Sequence, residues 1–146
     1  MNAQPRNTAL SPEVEAFIGR PCEVLIDGRW VAAKSGKSFD VHDPSTGKVI
    51  ARAAECERAD VDAAVAAARK AFDHGPWPRM SPSERGRILW KIGDLILENL
   101  EELAQLEALD NGKPITVARA ADVPLAADLF HYMAGWATKL EGNTIS

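Results

Sequence analysis

The hydrophobic pattern of this chain changes character near residue 57, and that change limits the folds it can adopt. Before it, short runs of β-prone residues are separated by turn residues such as Asp27-Gly28, and Asp-Gly is a strong short-range indication of a hairpin. After it, apolar residues recur every three or four positions, as on one face of an α-helix. The pattern therefore predicts strands first and amphipathic helices afterwards.

Three regions follow from this pattern. Residues 1–22 are predicted to form an N-terminal tail and a short helix, with Ser11 as the N-cap of that helix. Residues 23–55 are predicted to form a small antiparallel β-meander of four strands. Residues 56–146 are predicted to be helical. The boundaries fall where the hydrophobic period or the turn residues change.

The helical region is expected to divide at its turn residues. One long helix is predicted from the capping box at Ser81 to about Asp110. A shorter helix is expected to end at Ala121, with Asp122 capping a restarted helix that ends near Leu140. Four short strands offer too little sheet to cover these amphipathic helices. Their apolar faces are therefore expected to pack against a sheet that the sequence does not contain.

Composition and charge exclude several classes of partner. The formal net charge is −4, whereas a nucleic-acid-binding domain usually carries a basic patch. No stretch is long and apolar enough for a membrane span, and the N-terminus has no export signal. Cys22 and Cys56 lack metal-ligand spacing. They are expected to be reduced structural thiols in a cytoplasmic protein, and neither is expected to be a nucleophile. His74 and His131 are expected to be solvated.

Six segments, taken in order, resemble the start of the aldehyde dehydrogenase superfamily. These are residues 26–31 (IDGRWV), 43–50 (DPSTGKVI), 60–72, 77 with 81–89, 107–114 (EALDNGKP) and 132–137 (YMAGWA). Each segment alone is weak, but six in the family's order and spacing are specific. The resemblance covers the chain from about residue 24 to its last residue, and the apolar run Thr144-Ile145 carries no end signal. The chain is thus expected to be an N-terminal portion of a longer protein.

The resemblance implies an α/β fold of which this chain supplies the first part, without the Rossmann-type sheet. Residues 56–146 would then be an incomplete part of the cofactor-binding domain. It also implies NAD or NADP as cofactor, oxidation of an aldehyde to a carboxylic acid, and assembly as a homodimer or homotetramer. The family's catalytic cysteine and glutamate have no counterpart here, and no G-x-G-x-x-G pattern occurs. No catalytic or cofactor-binding residue is therefore expected in this chain, which alone should be inactive.

Two sites are implied by the resemblance at particular positions. In many family members, the Asp of the D-N-G-K-P turn and the backbone carbonyl two residues before an Asn-Pro dipeptide bind a monovalent cation, and Asp43-Pro44 stands at that dipeptide here. Here these are Asp110 and Val41, and oxygen ligands suit a hard cation. Alternatively, Asp110 only helps to end its helix. Ala121 and Leu125 fall where the family lines its aldehyde entry tunnel, although plain helix packing would also explain them.

A hypothesis from a different functional class is also open. The exposed apolar faces of the helices would suit a standalone helical interaction module without catalysis.

Overall fold

A computed structural model describes residues 9–145, so the predicted tail lies largely outside the described residues. Helix α1 (Pro12–Ile18) begins as predicted, because the Ser11 hydroxyl accepts the Val14 N–H at 3.3 Å. Four strands follow α1: β1 (Glu23–Ile26), β2 (Arg29–Ala32), β3 (Ser38–His42) and β4 (Val49–Ala54). Asp27 and Gly28 have positive φ values of 52° and 73°, as a two-residue hairpin turn of type I′ requires. The predicted hairpin is therefore confirmed.

The predicted four-stranded meander is wrong, because the strands form two separate two-stranded sheets. β1 pairs only with β2, and β3 only with β4, both antiparallel. After β2 the chain turns at once, with the Gly36 N–H bonded to the Ala33 carbonyl at 2.8 Å. The Lys34 N–H is donated to the Asp60 carboxylate at 2.9 Å. That bond ties the end of the first hairpin to a helix and not to the third strand.

Asp60 also starts the helix on which it lies, α2 (Arg58–His74). Its second carboxylate oxygen accepts the Glu57 N–H at 3.0 Å, which completes a capping box. The N-cap residue of this box is Glu57, and glutamate is not among the residues preferred at that position. Bonds from the backbone N–H groups of Lys34 and Glu57 lower the pKa of Asp60 below its ordinary value. One buried carboxylate thus joins the first hairpin to the helical part of the chain.

The predicted long helix is interrupted at Asn99. Helix α3 (Pro82–Glu98) begins at the expected capping box of Ser81 and Glu84, and α4 (Leu100–Asn111) follows it. Asn99 leaves the helical region at φ −108° and ψ 24°, and its side-chain amide donates to the Leu95 carbonyl at 2.8 Å. Asparagine side chains compete in this way with the helical backbone bonds. The break was missed because the apolar spacing continues across it.

Residues 115–136 form one continuous helical segment and not the two helices predicted. α5 (Ile115–Val117) passes through a π-helical turn (Ala118–Asp122) into α6 (Val123–Trp136). Asp122 has helical angles of φ −63° and ψ −51° and caps nothing, so the predicted restart at this residue is wrong. The helix also ends at Trp136, earlier than the predicted Leu140.

Helices α3 and α6 approach each other closely through small residues. A Cβ added at Gly86 would lie 2.9 Å from the Ala134 carbonyl oxygen. One at Gly93 would collide with the His131 ring and would lie 3.0 Å from the Ala127 carbonyl oxygen. Ala127 and Ala134 are themselves buried. The four positions are spaced seven residues apart on each helix, so they form one seam. We call this set of residues the glycine–alanine seam.

The apolar core of the described residues is small. Its buried members are Ala104, Ala118 and Val123, packed against partly buried residues of α3 and α4. Larger apolar side chains stay exposed on α2 and α6, as expected for helices that lack a covering sheet. Examples are Val65 at 62%, Phe72 at 61%, Leu125 at 64% and Tyr132 at 61% exposure. Within residues 9–145, no helix combines the length and apolarity needed to cross a membrane.

The glycine–alanine seam leads to a stability prediction. Gly93→Ala is expected to destabilise the chain by about 1–3 kcal/mol, because the new methyl group would collide with the His131 ring and would lie 3.0 Å from the Ala127 carbonyl oxygen. Gly135→Ala is the matched control, since a Cβ there would meet only the Lys139 Nζ at 3.6 Å. It should stabilise by about 0.5–1 kcal/mol through helix propensity. Urea unfolding measures both. Equal changes in the free energy of unfolding of the two variants would contradict the close helix contact at the seam.

Asp60 leads to a prediction about pH. Because its pKa is lowered in the folded state, its contribution is present above the ordinary aspartate pKa of about 3.9 and is lost as pH falls through the folded pKa. Asp60→Asn should therefore lower the urea midpoint at neutral pH and flatten its decline in acid. Asp62→Asn, on the same helix and exposed, should leave that profile close to wild type. Parallel acid profiles for Asp60→Asn and wild type would refute this role.

Candidate functional site

The turns that follow the two predicted cation ligands, Val41 at the end of β3 and Asp110 at the end of α4, meet in the structure. Gly112 ends α4 with φ 83°, a left-handed conformation that favours glycine. A Cβ on Gly112 would lie 2.8 Å from the Pro44 Cγ. Both the conformation and the contact therefore require glycine at this position. The contact places the turn after α4 directly against the turn between β3 and β4.

The turn between β3 and β4 is held by Asp43. One carboxylate oxygen accepts the Ser45 N–H and the other accepts the Thr46 hydroxyl, both at 2.8 Å. The Asp43 carbonyl accepts the Gly47 N–H at 2.7 Å. Aspartate commonly stabilises turns by bonding to the backbone two residues ahead. The end of β3, which carries Val41, is thereby fixed.

Val41 and Asp110 line the same cavity, whose volume is about 670 Å³. The β3–β4 register shifts between Val41 and His42, next to the predicted carbonyl ligand. Most of the wall is apolar and comes from α1, both hairpins and α4. Its larger apolar side chains include Phe17, Val24, Trp30, Ile50, Leu106 and Leu109. Val41 and Asp110 therefore share this cavity, and their role as cation ligands stays a prediction.

The described residues do not group enough side chains to hold a metal ion by themselves. Between residues 9 and 145, no three or more His, Cys, Asp or Glu side chains are grouped so that they could hold a metal. The Asp110 carboxylate and the Val41 carbonyl fit a hard cation by their chemistry. A complete coordination shell would need further oxygens from water or from another segment.

The two predicted tunnel residues occupy different parts of the last helical segment. Ala121 is half-buried within the π turn, and Leu125 follows in the first part of α6. Leu125 is 64% exposed, so packing among the described residues does not explain it. The spacing of four residues spans the edge of the π turn, where regular helical geometry ends.

Lys113 is a structural residue that the sequence did not reveal. Its Nζ lies 2.7 Å from Glu107 Oε1 on α4 and 2.7 Å from Asp122 Oδ2 in the π turn. Hydrogen bonds to Asp122 and then to Glu107 raise the pKa of Lys113 above its ordinary value. The lysine therefore links the end of α4 to the π turn. The pair is separated by nine residues and spans the unpredicted π turn, so spacing alone did not predict it.

The expectation that His131 is solvated is wrong. Its side chain is 18% exposed, its ring stacks on Trp90 at 4.3 Å, and its Nε2 lies 3.1 Å from Asp94 Oδ1. His131 sits one helical turn from Ala127 on the inner side of α6, which faces α3 through the glycine–alanine seam. His74, in contrast, is exposed as expected.

The two cysteines lie apart. Cys22 is half-buried at the cavity wall, and Cys56 is exposed before α2.

Comparison with known proteins extends the resemblance found in the sequence. Residues 30–146 match the aldehyde dehydrogenase family. The chain is 47% identical over 136 residues to "Putative aldehyde dehydrogenase DhaS" of Bacillus subtilis, covering 93% of this chain and 28% of that protein. It is 51% identical over 123 residues to "Aldehyde dehydrogenase family 2 member B4, mitochondrial" of Arabidopsis thaliana, covering 84% and 23%.

Solved structures agree with this match. The NAD+ complex of an aldehyde dehydrogenase from Bacillus cereus superposes with a TM-score of 0.89 at 47% identity, covering 94% of this chain and 28% of that one. An NAD-dependent aldehyde dehydrogenase from Sinorhizobium meliloti gives 0.80 at 47% identity, covering 91% and 26%. The chain spans 28% or less of the length of these four relatives. The predicted resemblance is confirmed: the chain belongs to the aldehyde dehydrogenase family and corresponds to an N-terminal portion of it.

Proposed function

We propose that this chain is part of a cytoplasmic, NAD(P)-dependent aldehyde dehydrogenase that oxidises an aldehyde to a carboxylic acid. The observation that carries the proposal is the family match over residues 30–146. The superposition on the Bacillus cereus NAD+ complex supports it. The complete enzyme would act as a homodimer or homotetramer, and the exposed apolar faces of α2 and α6 would be covered in it.

The residues present do not fit the dinucleotide cofactor. The sequence has no G-x-G-x-x-G loop, and residues 9–145 include only antiparallel strand pairs. A Rossmann site needs a parallel sheet with a glycine-rich turn at a helix N-terminus. We therefore assign NAD or NADP, the nucleophilic cysteine and the water-activating glutamate to the remainder of the enzyme. The role of this chain is to support and shape the site.

A cation site is the first contribution that we assign to the chain. The Asp110 carboxylate and the Val41 carbonyl would bind a monovalent cation in their shared cavity, with further ligands from the rest of the enzyme. The close approach of Gly112 to Pro44 supports this role, because it holds together the turn that follows Asp110 and the turn that follows Val41. The cation would join the end of α4 to the second hairpin.

Lining the aldehyde entrance is the second contribution. Ala121 and Leu125 would form part of an apolar mouth through which the substrate enters. The exposure of Leu125 supports this, because an apolar side chain free of packing is available to a ligand or to a covering segment. An alanine and a leucine would leave the mouth moderately open.

The proposed function predicts no activity for the 146-residue chain by itself. Purified chain incubated with an aldehyde and either NAD+ or NADP+ should give no reduced nicotinamide, measured by its absorbance, because neither reacting side chain is present.

The DNA after the Ser146 codon should continue in frame and encode a cysteine in a G-Q-C context. A stop codon there, together with a co-purifying partner protein, would favour the interaction module instead.

The cation site gives a second prediction. Potassium chloride should raise the melting temperature of the complete enzyme above that in choline chloride at equal ionic strength, because an ion that binds only the folded state stabilises it. Asp110→Asn should remove most of this difference. Asp128→Asn, an exposed aspartate on α6, should retain it. A potassium effect that survives Asp110→Asn would place the ion elsewhere.

A further inference from the structure

The helical backbone from α5 to α6 contains one wide turn. Within residues Ala118–Asp122 the helix is of the π type, and the Val123 N–H donates to the Ala118 carbonyl five residues back. Isolated turns of this kind inside α-helices are frequent at functional sites. Here Ala121, one of the two residues proposed to line the entrance, lies within the turn, and Leu125, the other, follows it in α6.

The position of Pro124 offers a physical reason for the wide turn. Proline has no N–H to donate, and in a regular α-helix its ring collides with the carbonyl four residues before it. At this position that carbonyl belongs to Ala120, within the π turn. Widening the turn moves the carbonyl away from the ring, so the helix continues where a regular one would kink or stop. Pro124 lies in the first turn of α6.

Three ion pairs link the wide turn to α4. Arg119 makes a two-pronged contact with Glu101, its Nε and Nη2 each 2.7 Å from a carboxylate oxygen. Lys113 joins Asp122 to Glu107, as described above. The Arg119 guanidinium lowers the pKa of Glu101 to about 2, with a further hydrogen bond from Gln105. Planar forks of this kind fix orientation as well as distance.

The wide turn changes the direction of neighbouring side chains. Successive residues of an α-helix differ by about 100° around its axis, so one extra residue rotates everything before the turn relative to everything after it. Ala121 lies within the turn and Leu125 lies after it. Their relative placement is therefore set by the turn and not by regular helical spacing.

We propose that the π turn imposed by Pro124 fixes Ala121 relative to Leu125 and so sets which aldehydes, by size, pass the entrance. Pro124 is then a positioning residue for substrate selectivity, acting through two apolar lining residues. The substrate class is apolar aldehydes whose bulk is sensed at the mouth. This inference rests on the proposed function of Ala121 and Leu125.

The test measures kcat and KM of the complete enzyme for propanal and for benzaldehyde. Pro124→Ala should change the ratio of the two kcat/KM values by on the order of tenfold, as expected for a reshaped apolar pocket. The change should appear in KM more than in kcat, because the residue acts on entry and binding. Pro82→Ala, a proline at the first position of α3, is the matched control and should leave the ratio unchanged.

Further variants separate the possible failures. If Leu125→Ala leaves the ratio unchanged, the entrance role itself is wrong. If Leu125→Ala changes the ratio but Pro124→Ala does not, the positioning role of the turn is wrong. If Pro124→Ala fails to fold, Arg119→Lys keeps the charge but loses the fork and should shift the ratio in its place; an unchanged ratio overturns the proposal. A crystal structure of Pro124→Ala that retains the π turn would also overturn it.

Discussion

The close approach of α3 and α6 is the constraint on which the rest of the structure depends. Where Gly86 and Gly93 face Ala134 and Ala127, the two backbones lie too near for any larger side chain. Small residues therefore occupy the points of closest contact on α6, and His131 packs against Trp90 between them. Several bulky apolar residues of α6 stay exposed. The seam thus explains both the rigid pairing of the helices and the exposed apolar face beside it.

Polar links compensate for the small apolar core. Asp60 joins the first hairpin to α2, and Lys113 joins α4 to the π turn. Gln105 joins α1 to α4, since its Oε1 accepts the Ser11 N–H at 2.8 Å. A buried polar group that loses its partner is costly, so each link specifies one arrangement of the elements that it connects. The fold is therefore defined by a few directional bonds as much as by apolar burial.

Features encoded by neighbouring residues could be predicted from the sequence, and features set by distant partners could not. The Asp27-Gly28 hairpin and the Ser81 capping box depend only on local residue types. The four-stranded meander failed because Lys34 bonds to Asp60, far along the chain. The π turn could not be predicted from local residues, because ion pairs to the distant helix α4 accompany Pro124 there. At the candidate site, family resemblance named Val41 and Asp110, but only the structure shows them lining one cavity.

The meeting of Gly112 with Pro44 restricts how this region can diverge during evolution. A side chain at position 112 is opposed twice, by the left-handed backbone and by the proline ring. Replacing Pro44 first would remove only the second obstacle, and replacing Gly112 first would meet both. A side chain at position 112 is therefore opposed even after Pro44 has been replaced, because the left-handed backbone remains. The turn after α4 and the turn between β3 and β4 are constrained together, although more than sixty residues separate them in the sequence.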